Sequence, residues 1–195
     1  MRIKERMTAV AVAAMAVAML GSTQVGVASA DKDFGEFSVG GRILEAFEAT
    51  GGVPTWGNPT MNEAAAAYNG RFQRFDNTSF YWKANVSGGV AHQIGGAIRA
   101  LWSNTKTNGQ GYERGPLGYP VSDELAAGTG RKQFLQGGNV YYGAKTGTHI
   151  VWGEILNKYA AAGGPDKFGL PVGGEYKVGN QFRQDFEGGK RLQWP

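Results

Sequence analysis

Three glutamates, Glu63, Glu124 and Glu175, and two histidines, His92 and His149, are the residues of this chain best suited by type to move protons. Two carboxyl groups about 5–10 Å apart could hydrolyse a glycosidic bond, and a histidine could act as a general base. All five, however, belong to sets related by spacing. Glu63 lies four places after Pro59 in Trp56-Gly57-Asn58-Pro59, Glu124 four after Pro120 in Leu117-Gly118-Tyr119-Pro120, and Glu175 four after Pro171 in Phe168-Gly169-Leu170-Pro171. His92 and His149 close the equivalent stretches Val90-Ala91-His92 and Gly147-Thr148-His149. A catalytic group rarely needs a copy in the next repeat, whereas a turn-fixing group does. The glutamates therefore read as acceptors of backbone N–H groups, Thr60-x-x-Glu63 forming a capping-box pattern. The histidines read as hydrogen-bond partners of neighbouring turns.

Other chemistries lack their motifs. Asn85-Val86-Ser87-Gly88-Gly89 does not have the Gly-x-Ser-x-Gly spacing of a nucleophile elbow. With no cysteine and no His-x-x-x-His pair, a zinc site of the usual types is not expected. Gly109-Gln110-Gly111 with Gly115 is not a dinucleotide fingerprint, and no Gly-Lys-Ser/Thr loop exists. No cofactor is expected. An enzyme needs a polar constellation that is not repeated, and residue by residue the sequence offers none.

Binding chemistry fares better. Tyr81/Trp82 and Tyr141/Tyr142 are adjacent aromatics in short β-type runs. Neighbouring strand residues point to opposite faces, so one of each pair faces away from its sheet's core side. Arg71 and Gln73 precede the first pair, and Arg131 and Gln133 the second. An aromatic face flanked by planar polar groups suits a sugar ring, whose C–H face stacks while its hydroxyls are hydrogen-bonded. The alternative use of the outer aromatic is packing on the next repeat. The candidate ligand-binding residues are thus Arg71, Gln73, Tyr81, Trp82, Arg131, Gln133, Tyr141 and Tyr142. The third copy has Asn180, Gln184, Leu192 and Gln193 at the matching places, lacks guanidinium and aromatic pair, and should bind little.

These residues need a scaffold, and the spacing supplies it. Ile43/Phe47, Ile98/Trp102 and Ile155/Tyr159 each put an aliphatic residue four before an aromatic, the mark of a helix face packed on a core. Helices are predicted near 40–49, 95–104 and 152–161. Ile43 to Gly57 and Ile155 to Gly169 are both 14 residues, but Ile98 to Gly118 is 20, which implies an insertion of about six within the polar, glycine-rich stretch Ser103–Gly115, a surface loop. Proline fixes φ in each turn, and the glycine two places earlier is expected at positive φ. Hairpins follow near 70–82, 130–142 and 179–194. The fold expected is α+β, a single domain of three short helix–turn–β-hairpin repeats able to wrap round a pseudo-threefold axis. No unit is large enough to bury its own helix face, so neighbours must pack on one another.

The N-terminal segment stands apart. Arg2, Lys4 and Arg6 precede an apolar run from Met7 to Leu20, and Ala28-Ser29-Ala30 supplies small residues for cleavage. This is the pattern of a secretory signal peptide, too short for a comfortable span. Residues 1–30 are assigned to the leader and 31–195 to the repeat domain, with repeats about 37–86, 87–146 and 147–195. The whole chain carries 20 Lys+Arg against 16 Asp+Glu. Loss of the leader leaves 17 against 15, so the exported portion has no electrostatic footprint for nucleic acid. With no cysteine, it has neither disulfides nor a lipoprotein anchor.

Gly115-Pro116-Leu117-Gly118-Tyr119-Pro120-Val121-Ser122-Asp123-Glu124, followed by Gly130-Arg131, Gln133, Tyr141-Tyr142, His149 and Gly153-x-Ile155, resembles the LGFP repeat family. The resemblance covers essentially the whole of 34–195, the middle copy being closest to the pattern. It implies a non-catalytic module of exported proteins in actinobacteria with mycolic-acid envelopes, secreted and cell-wall associated. The implied partner is a cell-wall polysaccharide such as arabinogalactan, with envelope proteins as an adaptor's alternative partners. An envelope hydrolase or esterase is the second alternative.

Overall fold

The computed structural model describes residues 30–195, so the expected leader lies outside the described residues but for Ala30. A hairpin of β1 (Lys32–Phe34) and β2 (Phe37–Val39) opens the fold, followed by α1 (Gly41–Ala49) and the one-turn α2 (Gly52–Trp56). An antiparallel sheet follows in the order β3 (Ala64–Ala66), β4 (Gly70–Arg74), β5 (Thr78–Trp82), β6 (His92–Gly95). The second unit has α3 (Gly96–Asn104) and the sheet β7 (Leu125–Ala127), β8 (Gly130–Leu135), β9 (Gly138–Gly143), β10 (Gly147–Val151). The third has α4 (Gly153–Ala161), the short α5 (Gly164–Phe168) and the sheet β11 (Tyr176–Val178), β12 (Gln181–Phe186), β13 (Lys190–Trp194).

The repeated α+β architecture stands, but the hairpins are the centres of three- and four-stranded meanders. The expected turns around His92 and His149 are strands, β6 and β10, each leading directly into the next helix. In the second unit no counterpart of α2 and α5 forms. The insertion takes that place, and its Tyr112 packs edge-on against Trp102 at 5.5 Å between ring centroids.

The helix faces are those the spacing requires. α1 buries Ile43, Leu44 and Phe47; α3 buries Ile98 and Trp102; α4 buries Ile155 and Tyr159. Alternation along the strands divides the aromatics between two cores. Phe80 packs in its own unit with Phe47 and Phe75, whereas Tyr81, the next residue, sits edge-on to Trp102 of the following unit at 4.9 Å. Val140 and Tyr141 divide likewise, Tyr141 meeting Tyr159 of the third unit at 5.5 Å. The middle sheets are therefore covered on both faces. At the corresponding position β13 carries Gln193, which is exposed.

Register also explains a change in the third copy. A Cβ on Gly70 would lie 2.0 Å from the hydroxyl of Tyr119, and one on Gly130 would lie 2.8 Å from Leu170 Cδ1. Both neighbours are the residue between Gly and Pro in the next unit's turn. Gln181 occupies this position in β12, where no further unit follows among the described residues.

Candidate functional site

The strand pairings place Arg71 opposite Trp82 and Arg131 opposite Tyr142. The expected glutamate role is corrected here. Glu63 Oε1 accepts from Arg71 Nε at 2.5 Å and Glu124 Oε1 from Arg131 Nε at 2.7 Å, so both are guanidinium partners rather than caps of backbone N–H groups. The turn's amides are held instead by Asp76, Gln136 and Glu187, which accept from the N–H of Asn58, Tyr119 and Leu170 at 2.8, 2.9 and 2.7 Å. The third unit has Phe182 opposite Trp194, so Trp194, not Gln193, holds the outer aromatic position. One extra residue in the β12–β13 turn shifts the register: Phe186 pairs with Lys190, where Leu135 pairs with Gly138.

Half of the expected binding residues are withdrawn from the surface. Tyr81 and Tyr141 are 4% and 3% exposed, in the cores described above. Gln73 and Gln133 are fully buried, as is Gln184. Gln133 Nε2 donates to Gln93 O at 2.5 Å and to Ser122 O at 2.8 Å. Gln73 does the same with Ser38 O and Met61 O, and Gln184 with Ile150 O and Gly173 O. Gln133 and Gln184 thus tie the last strand of one unit to the turn of the next, Gln73 ties β2 to the first turn, and the Oε1 of each has no partner among the described residues. A side chain so placed cannot meet an external sugar. Arg71, Trp82, Arg131 and Tyr142 keep access.

Two hollows use Arg71, Trp82 and Arg131. One of about 230 Å³ is lined by Gly41, Arg42, Ile43, Glu63, Arg71 and Trp82. The larger, about 390 Å³, lies between the first and second units and takes Trp56, Asn77 and Thr78 from one and Asp123, Glu124 and Arg131 from the other, with Gly95 and Gly96 between them. A third, about 320 Å³, shares Asn77, Thr78, Gly95 and Gly96 with it and is edged by Arg74 and Arg99. Trp56 is half-buried, its indole N–H held by Thr50 Oγ1 at 2.9 Å.

One polar constellation is not repeated, which corrects the expectation that none exists. Ser87 Oγ lies 2.7 Å from His92 Nε2, and His92 Nδ1 lies 3.3 Å from Asp123 Oδ1. Asp123 Oδ1 also accepts from the N–H of Gln93 at 3.1 Å, and Ser87 Oγ approaches Val121 O at 3.2 Å. His149, the copy, has a different partner, the carbonyl of Thr146 at 2.7 Å. Sequence reasoning gave Trp56, Asn77, Thr78 and Asp123 no binding role because it followed what the copies share, and set Ser87 aside for want of an elbow motif. The signal lay in what they do not share: Asp123 corresponds to Gly174, Thr78 to Gly138 and Gly95 to Trp152.

Among the described residues, no group of three or more His, Asp or Glu is placed to hold a metal ion, and no helix is long and apolar enough to cross a membrane. No curated protein matches the chain. A family model described as LGFP repeat matches residues 57–115 and again 117–166, each match running from one glycine–proline turn through the sheet into the next helix. With more than half of its length covered, the chain belongs to the LGFP repeat family.

Proposed function

We propose that this is an exported, cell-wall-associated protein that binds envelope polysaccharide of the arabinogalactan type without altering it. The observation that carries this is the recurrence of an accessible guanidinium–carboxylate pair beside an aromatic ring, Arg71–Glu63 opposite Trp82 and Arg131–Glu124 opposite Tyr142. Each pair is internally neutral. It offers fixed donors and acceptors rather than net charge, and so favours hydroxyl-rich neutral ligands over ionic ones. Family membership supports the same reading, since LGFP repeats are a repeat-protein family and not an enzyme family. The test is co-sedimentation with insoluble wall material prepared with and without arabinogalactan. Retention only on the former is expected. Retention on neither, with capture of envelope proteins instead, would favour the adaptor.

Ser87, His92 and Asp123 give a hydrolase reading one specific observation, because Oγ–Nε2 and Nδ1–carboxylate contacts in that order are those of a serine hydrolase. The same bonds join the β5–β6 loop of the first unit to Val121 and Asp123 of the second, which is a junction's fastening. We expect no labelling by a fluorophosphonate probe. Labelling lost in Ser87→Ala would establish the hydrolase.

A further inference from the structure

The molecule builds the same junction twice and leaves the first one open. At the second junction the indole of Trp152 follows β10, and its Cβ lies 2.9 Å from where a Cβ on Gly138 would stand. At the first, Gly95 stands where Trp152 does, with Thr78 in place of Gly138 and Glu124 in place of Glu175. Phe182 and Gly174 replace Arg131 and Asp123 at the second junction, so the groups that could hold a ligand are gone where the space is taken.

From this pairing we infer that the 390 Å³ cleft between the first and second units is a single composite saccharide site, requiring both units, rather than one of several equal hairpin sites. The inference rests on the polysaccharide reading and names the place. The volume falls within the ~300–1,000 Å³ of small-molecule pockets. The wall supplies an indole (Trp56), an amide (Asn77), a hydroxyl (Thr78), a carboxylate (Asp123) and an ion pair (Glu124–Arg131). That mixture of one ring face with directional, nearly neutral polar groups is suited to a sugar residue, not to a phosphate or a hydrophobic chain. Asp123 is pre-set by its bonds to His92 and to the N–H of Gln93, so its carboxylate does not have to be ordered on binding. The adjoining 320 Å³ hollow, reached past Asn77 and Gly95, gives the rest of a glycan chain a path.

The test copies the molecule's own plug. Thr78→Gly with Gly95→Trp reproduces the Gly138–Trp152 arrangement at the first junction. Binding of soluble arabinogalactan fragments is measured by calorimetry for wild type, this double variant, Arg131→Gln and Trp194→Ala. We expect one fragment site per chain in the wild type. The plugged variant and Arg131→Gln should each weaken binding by about tenfold or more, and Trp194→Ala, on the exposed last strand, should change it by less than about twofold. Wild-type affinity in a folded plugged variant would overturn the cleft while leaving the polysaccharide reading in place. Should the plugged variant fail to fold, wild-type affinity in Arg131→Gln would do the same. No binding by the wild type would instead overturn the polysaccharide reading itself.

Discussion

The first and second junctions share a frame and differ in content. In both, a buried glutamine reaches back across the boundary, Gln133 to Gln93 O and Gln184 to Ile150 O, and forward to its own turn. In both, a tyrosine from the earlier sheet enters the later core. These bonds address backbone carbonyls or pure surface area, so they ignore which side chains line the groove above them. The groove can therefore hold Thr78, Gly95, Asp123 and Arg131 at one junction and Gly138, Trp152, Gly174 and Phe182 at the other without disturbing the stacking. Cohesion and recognition are carried by separate residue sets.

The largest effect should come from breaking the shared frame. Gln133→Leu keeps the volume but leaves one buried and one half-buried carbonyl without their donor, and should cost about 2–4 kcal/mol in chemical denaturation. A loss confined to a few tenths would mean that the tyrosines, not the glutamines, hold the units together. Emptying the plugged junction comes next. Trp152→Ala removes a half-buried indole and should cost about 2 kcal/mol, while saccharide binding at the first junction stays unchanged. A change in binding would show that the two junctions are coupled.

Gly118 tests the turn that both junctions depend on. Its φ is +64°, and a Cβ there would lie 2.7 Å from Gln136 Oε1 and 3.1 Å from its Cβ. Gly118→Ala should lower stability by about 1–2 kcal/mol, read as a fall in melting temperature.

The smallest effect separates the two glutamates. Burial beside Trp152 raises the Glu175 carboxyl above its usual range, the indole's hydrogen bond opposing this only in part. A carboxyl raised in the folded state binds more protons folded than unfolded, so stability falls as pH rises from the unfolded value through the folded one. Glu175→Gln should remove that fall and leave the protein as stable or slightly more so at neutral pH. Glu124→Gln, which takes a partner from Arg131, should give no such gain. Equal responses at the two sites would undo the contrast.

How much of this was legible follows from the same separation. The helix faces, the glycine–proline turns and the hairpin positions repeat, so periodicity exposed them. Gln73, Gln133 and Gln184 also repeat, but repetition cannot say whether a polar side chain points at solvent or at a carbonyl two strands away. Gln73 and Gln133 read from the sequence as ligand-binding residues, but like Gln184 they are fastenings. Alternation says that one aromatic of each pair faces away from its own core but not which; Tyr81 and Tyr141 are those residues, and the face they turn to is a second core, because a sheet in an array is covered twice. The cleft was hidden for a different reason. Asp123 and Thr78 are joined only across the boundary between units, and no spacing within one copy brings them together. The third unit's Trp194 was displaced from view by one residue added to a turn, an event that alters register but not composition.

The central claim is that the open first junction is where a wall saccharide sits. The five tryptophans supply reporters for it, because each indole N–H gives its own nitrogen–proton resonance. Trp56 lines the cleft, Trp102 is fully buried with its N–H on Gly118 O, and Trp194 lies exposed on the last strand. Titrating labelled protein with arabinogalactan fragments should move the Trp56 indole signal and the Asn77, Gly95 and Asp123 amides together, with Trp102 and Trp194 unmoved. Shifts centred on Trp194 or on Trp82, with Trp56 unchanged, would contradict the account.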